Sequence, residues 1–253
     1  MSAKPELDVL WEGPDLIAVQ KPAGLAAIPG RAETDDVLGR IGRQLGLPSS
    51  GSIDPRIRVV HRLDKDTSGV ILFAKNVDTQ RHLSEQFREN QTQKEYLALV
   101  AGRPNASEGE VDAPLGPHPK SHLRMAVLAH GGRPARTLWK IEKKFRDYTL
   151  LRVFPKTGKT HQIRVHLLHA GYPLAIDPLY NAPRPGEPVG IYLSSFKRRY
   201  RPDEEPERPL IARLTLHAER LTFAERDGTL RTVIAPLPKD FRAVLNMLQK
   251  YGS

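Results

Sequence analysis

The sequence predicts an α+β fold, a mixed, mostly antiparallel β-sheet core with flanking helices. Strand-like runs crowd residues 94 to 155, where TLWKIEKKF and YTLLRVFP meet at Arg146-Asp147. Alternation of sides in such runs argues for half-buried antiparallel strands. Helical spacing appears in only three or four separate stretches. No regular strand–helix–strand alternation is present, which weakens doubly wound and TIM-barrel alternatives.

Each element has its own signal. Residues 6 to 20, ELDVLWEGPDLIAVQ, place two apolar runs about Gly13-Pro14-Asp15 and predict a hairpin. Lys21-Pro22-Ala23-Gly24 then breaks the strand. Val37, Leu38, Ile41 and Leu45 recur at helical spacing, and the Gly/Ser/Pro-rich stretch 46 to 55 reads as a loop. A strand over 57 to 60, a polar turn and a strand over 69 to 75 follow. Asn76 or Asp78 is placed to cap a helix carrying Leu83, Phe87 and Gln91, which ends before the strand KEYLALVAG.

Thr160 is placed to cap a helix through Ala170, stopped by Gly171 and Pro173. The proline-rich stretch 181 to 211 carries the basic Lys197-Arg198-Arg199-Tyr200-Arg201 and the acidic Asp203-Glu204-Glu205-Pro206-Glu207. It reads as a long inserted loop, mobile unless RNA orders it. LTLHAERLTF and LRTVIAP read as strands. Residues 238 to 251 read as a helix with Phe241, Val244, Leu245 and Leu248 inward. There is no internal repeat of about 20 to 50 residues.

Composition narrows the function. With 253 residues, 39% of them hydrophobic, the chain can bury a sizeable core. Lys and Arg number 39 against 29 Asp and Glu, a net charge of +10, which favours polyanionic partners. The absence of cysteine excludes disulfides, thiol nucleophiles and thiolate metal sites, and suits a reducing cytoplasm. No run approaches the roughly 18 apolar residues of a membrane span, so no membrane partner is expected.

The densest polar segment is His61-Arg62-Leu63-Asp64-Lys65-Asp66-Thr67-Ser68-Gly69, between two apolar strands. Asp66 to Gly69 are explained by turn chemistry. Asp64 differs, because Arg62 stands two residues before it on the same side of an extended chain. A carboxylate kept ionised by cations can act as nucleophile or general base. His61 is equally a structural histidine or a ligand contact.

In TGKTHQIRVHL, residues 157 to 167, Gly-Lys-Thr lacks the earlier glycine of a phosphate loop, since position 153 is Val153. Helix-terminal amides there can still hold an RNA phosphate. Spacing puts His161, Arg164 and Leu168 on one helix face, so Arg164 either enters a cleft or solvates the helix. His166 and His169 stand three apart but lack the partners of a metal motif. In KEYLALVAG, Tyr96, Ala98 and Val100 share a strand face. Tyr96 is either an amphipathic core residue or a platform for an extruded base.

Together these segments resemble the RluA-type family of RNA pseudouridine synthases. HRLDKDTSGV (61 to 70) is similar to the central motif of the family, KPAG (21 to 24) to its N-terminal motif, KEYLALVAG (94 to 102) to its tyrosine strand and TGKTHQIRVHL to its arginine helix. PLAIDPLY (173 to 180) and LHA (216 to 218) resemble further elements, in the same order. Ile28, and Ala175, Ile176 and Asn181, depart from residues common among relatives, outside the catalytic set.

The resemblance implies a pseudouridine synthase fold with a central RNA-binding cleft, formed by one catalytic domain over residues 1 to 253. About 60 residues precede the central motif, so the S4-type RNA-binding domain of some relatives is not expected. It implies isomerisation of specific uridines in ribosomal or transfer RNA after base flipping, with Asp64 as the essential aspartate. Arg62 would help displace the base, Tyr96 would be the active-site tyrosine and Arg164 the basic partner of the aspartate. His61, Lys21, Lys159, His161, Lys197, Arg198 and Arg199 are the expected RNA contacts. No cofactor or metal is expected. The expected partner is an RNA stem-loop, met by a cytoplasmic monomer. Two alternatives remain: an RNA-binding protein without catalysis, and a metal-dependent nuclease, for which Asp64 and Asp66 supply too few ligands.

Overall fold

The computed structural model describes residues 6–29, 35–46, 56–183, 189–197, 200 and 206–252. The chain forms two compact units, one from residues 1–95 and 218–236, the other from 96–217 and 237–253.

In the first unit, β1 (Val9–Glu12) and β2 (Leu16–Lys21) form the expected antiparallel hairpin. β2 pairs antiparallel with β4 (Ser68–Ala74), and the short β3 (Arg58–Val59) also lies on β4. β11 (Leu216–Ala224) neighbours β4 and pairs antiparallel with β12 (Leu230–Ile234). β4 reads SGVILFA and is buried at every position, as a strand flanked on both edges and covered on both faces must be.

Two helices complete this unit. Asp36 opens α1 (Val37–Gln44) by accepting from the Gly39 amide, and Asn76 opens α2 (Val77–Arg88) by accepting from the Thr79 amide. Asn90 takes a left-handed φ of 56° just beyond α2, so Gln91 lies outside the helix. Leu83 of α2 packs with Leu16, Val70, Leu72, Leu221 and Phe223. Each such side chain, fully buried, contributes about 1.5–3 kcal/mol.

In the second unit, β5 (Gln93–Ala101), β10 (Tyr148–Pro155), β9 (Arg136–Lys144) and β6 (Glu108–Asp112) follow one another in an antiparallel sheet. β7 (Leu115–His118) and β8 (Ser121–Val127) form a separate two-stranded ribbon. Alternate residues of β5 enter different cores. Tyr96, Ala98 and Val100 pack with Ile163 and Leu167 of α3 (Gln162–His169). Leu97 and Leu99 pack with Phe241, Val244 and Leu248 of α4 (Lys239–Tyr251). β5 is therefore buried on both faces over residues 97–100, where the sequence suggested a half-buried strand.

Within the stretch 181–211, two described residues are held in the core. Ile191 and Ile211 bridge antiparallel and are 3% and 2% exposed, packed in the cluster that holds Phe241. Isolated apolar residues inside a charged stretch thus tie positions 191 and 211 to each other and to this core. Among the described residues, no helix is long and apolar enough to cross a membrane.

Candidate active site

The HRLD segment follows β3 and turns at Asp64, whose carbonyl accepts from the Thr67 amide at 3.1 Å. Leu63 is buried, Asp64 is half-buried and Arg62 is exposed. Val60 and Leu63 anchor the segment in the core, while Arg62 between them reaches solvent.

The KPAG segment holds this turn from below. Lys21 is fully buried, and its Nζ donates to the carbonyls of Lys65 at 2.5 Å, Leu25 at 2.6 Å and Pro22 at 2.9 Å. The Gly24 amide donates to the same Lys65 carbonyl at 3.0 Å. Lys21 was expected to contact RNA, and the structure overturns that. An ammonium has three N–H donors, and here backbone carbonyls receive them. Past the turn, Gly69 has φ +129°, and a Cβ built there would lie 2.1 Å from the Ala218 carbonyl oxygen. Only glycine lets β4 approach β11 so closely.

His61 is engaged structurally on one side. The Leu72 amide donates to its Nε2 at 2.9 Å, and its ring stacks on Phe87 with centroids 4.4 Å apart. Burial, and secondarily the positive charge of Lys94, push the imidazole down to about 3. The ring is thus neutral, with Nε2 as acceptor and the proton on Nδ1.

The second unit gathers another set of polar side chains around α3. Arg164 is buried and donates through Nε and Nη2 to the two carboxylate oxygens of Asp177, each at 2.8 Å. The reading of Arg164 as a solvating surface residue is excluded. Asp177 also accepts from the Leu179 and Tyr180 amides. The Arg164 guanidinium lies 4.9 Å from the centre of the Tyr180 ring. The Tyr180 hydroxyl accepts from the Met125 amide at 2.7 Å and hydrogen-bonds His161 Nδ1 at 2.8 Å. Burial pushes the Tyr180 phenol up from its usual value.

α3 begins at Gln162, not under a Thr160 cap. His161 stands before the helix at φ 55°, a conformation uncommon for a residue with a side chain, and provides no side-chain cap. Gln162 organises the entry instead, its Oε1 accepting from the Lys159 amide and the Thr157 hydroxyl and its Nε2 donating to Thr137 Oγ1 and the Arg136 carbonyl. His166 is fully buried, with Nδ1 at 2.8 Å from Thr137 Oγ1 and Nε2 at 3.0 Å from the Ala113 carbonyl, so it serves as a structural histidine.

The expected site residues therefore fall into two groups. Lys21, His61, Arg62 and Asp64 belong to the first unit; Tyr96, Lys159, His161, Arg164 and Lys197 belong to the second. Tyr96 is partly buried against the α3 core, and Lys197 is exposed beside Tyr200. Arg198 and Arg199 lie outside the described residues. Asp177 and Tyr180 were not singled out from the sequence. A lone carboxylate between Ile176 and Pro178 in an otherwise apolar run was the available signal, since such a group is buried only with a partner.

Comparison with known proteins settles the family. The RNA pseudouridylate synthase family matches residues 15–169, which include the Asp64 turn and α3. The chain belongs to this family. The ribosomal large subunit pseudouridine synthase D of Nitrosomonas europaea is 37% identical over 244 residues, 96% of this chain and 65% of the relative. An uncharacterised RNA pseudouridine synthase of Chloroflexus aurantiacus is 40% identical over 92% of this chain and 66% of its own length. The chain thus spans slightly under two thirds of these two pseudouridine synthases. The solved structure of human RNA pseudouridylate synthase domain containing 4 aligns with a TM-score of 0.72 at 25% identity, covering 96% of this chain and 93% of that one. The expected RluA-type resemblance and the α+β architecture both agree with these relatives.

Proposed function

We propose that this protein isomerises uridine to pseudouridine in large-subunit ribosomal RNA, with Asp64 as the catalytic carboxylate. The observation that carries the reading is the Asp64 turn, in which a family motif is pinned by Lys21 and Gly24 through one carbonyl. Such anchoring suits a group that must hold its position against a sugar carbon, because misplacement of about 1 Å costs on the order of a hundredfold in rate.

In the proposed reaction the N1–C1′ bond of the target breaks, the uracil turns, and C5 bonds to C1′. The C5 proton leaves and N1 gains one, so the change is an isomerisation. The uridine must first leave its stack, at a cost of a few kcal/mol. Arg62, exposed beside Asp64, occupies the vacated space. Tyr96 stacks on the detached base, and Arg164 supports the negative charge of the catalytic set. His61, Lys159, His161 and Lys197 are proposed RNA contacts, with His61 limited to Nδ1. Ribosomal RNA is favoured because relatives such as that of Nitrosomonas europaea are named for the large ribosomal subunit. Transfer RNA is the second arm of the test.

Tritium release decides the matter. Unmodified large-subunit ribosomal RNA and transfer RNA, each carrying tritium at uracil C5, are incubated with wild type and Asp64→Asn in the presence of chelator. Release from ribosomal RNA by wild type alone is expected. Release by both proteins removes Asp64 from the mechanism, and release from transfer RNA alone reassigns the substrate.

A further inference from the structure

Two guanidinium groups rest on one phenol. The Arg164 guanidinium carbon lies 4.9 Å from the centre of the Tyr180 ring, and that of Arg124, from β8, lies 5.3 Å from the same point. Their counter-charges differ. Arg164 has the buried carboxylate of Asp177. Arg124 is half-buried, and its Nε, sealed from solvent, meets no acceptor among the described residues. Nor does its side chain form an ion pair with another described residue. Arg124 therefore brings a guanidinium to the Tyr180 ring without an ion-pair partner among the described residues, a charge that an incoming anion would balance.

We infer that Arg124 binds a backbone phosphate of the RNA substrate. The inference rests on the proposed function for the nature of the ligand, and on Arg124 itself for the site. A guanidinium presents N–H groups in a planar fork that fits two phosphate oxygens, which makes phosphate the matching anion. Arg124 is set in advance, because the neighbouring Met125 amide is tied to the Tyr180 hydroxyl and the guanidinium stacks on the ring. Little side-chain freedom then remains to be lost on binding. The ribbon also exposes Lys120, His122 and Leu123, the last at 77%, so it offers a polyanion further cation and an apolar contact. His161, joined to the same hydroxyl, links this contact to the start of the arginine helix.

The test is equilibrium binding of a fluorescein-labelled, unmodified large-subunit ribosomal RNA transcript across a potassium chloride series. Wild type, Arg124→Gln, Arg124→Lys and Arg146→Gln are compared. Arg146 is exposed and paired with Asp147, so its variant controls for loss of one positive charge. Arg124→Gln is expected to weaken binding on the order of tenfold and to reduce the slope of log affinity against log salt by about 0.7–0.9, the share of one phosphate. Arg124→Lys keeps the slope and loses part of the affinity. Arg146→Gln changes neither.

Wild-type affinity and slope in Arg124→Gln overturn the inference. If that variant melts early, Arg124→Lys decides: unchanged affinity overturns the phosphate contact, and weaker affinity with a preserved slope supports it. Pseudouridine formation by wild type is followed separately. Binding without isomerisation defeats the proposed function and leaves Arg124 to be judged by its salt slope.

Discussion

Lys21 Nζ lies 2.5 Å from the carbonyl oxygen of Lys65, the residue that follows Asp64. A fully buried cation thus holds the peptide next to the candidate catalytic carboxylate, from a segment 44 residues away in sequence. Replacement by methionine keeps the stem and removes the ammonium, leaving three carbonyls to find other donors. An unsatisfied buried polar group costs about 1–3 kcal/mol, partly offset by no longer burying a charge. Lys21→Met is therefore expected to lose about 2–4 kcal/mol of stability, read from urea unfolding midpoints. Wild-type stability would mean that the turn does not depend on this anchor.

The Arg164–Asp177 pair is the buried counterpart in the second unit. Asp177→Asn keeps the shape and removes the charge, leaving Arg164 without its bidentate partner. Breaking a buried pair from one side costs about 3–5 kcal/mol. The expected result is a lower melting midpoint together with a fall in turnover, whereas unchanged turnover in Asp177→Asn would separate the pair from catalysis.

His61 makes stability depend on pH. An unfolded histidine titrates near 6.5, whereas burial, and then the charge of Lys94, hold His61 in the folded protein at about 3. Between these values the unfolded chain binds a proton that the folded chain does not, so stability rises with pH across this window. The contribution is complete above about 6.5 and is lost progressively as pH falls towards 3. Melting midpoints at pH 4.5 and 7 should differ more in wild type than in His61→Gln. Equal differences would show that His61 titrates normally.

The sequence was legible where the signal is local. Periodicity and turn chemistry placed the first hairpin, the cap of α2 as one of Asn76 and Asp78, the β9–β10 hairpin and the inward face of α4, each settled by residues near one another in the chain. The motif also marked Asp64 and Arg62, the proposed catalytic aspartate and base-displacing arginine. Long-range pairing was not legible. Nothing near Lys21 in sequence shows that its ammonium is spent on Lys65, and nothing near Arg164 points 13 residues ahead to Asp177. α3 shows the same limit. Thr160 looks like a cap locally, but Gln162 reaches Thr137 on β9 and sets the helix start from there.

Gly69 sits one residue past the start of β4, where the chain leaves the Asp64 turn. Its φ of +129° is rarely adopted by residues with side chains, and an added Cβ would lie 2.1 Å from the Ala218 oxygen and 2.6 Å from the Ala218 nitrogen. Both obstacles are backbone, so no side-chain rotation relieves them. Gly69→Ala must either displace β11 from β4 or shift the turn that holds Asp64. Strain of this kind costs about 1–3 kcal/mol for the dihedral alone, before the clash is counted. The variant is expected to melt at least about 5 °C below wild type, given the usual shift per kcal/mol for chains of this size. It should also lose most tritium release at temperatures where it is still folded. A variant with full activity and an unchanged melting midpoint would show that the two strands tolerate a wider spacing and that the turn is not held by their contact.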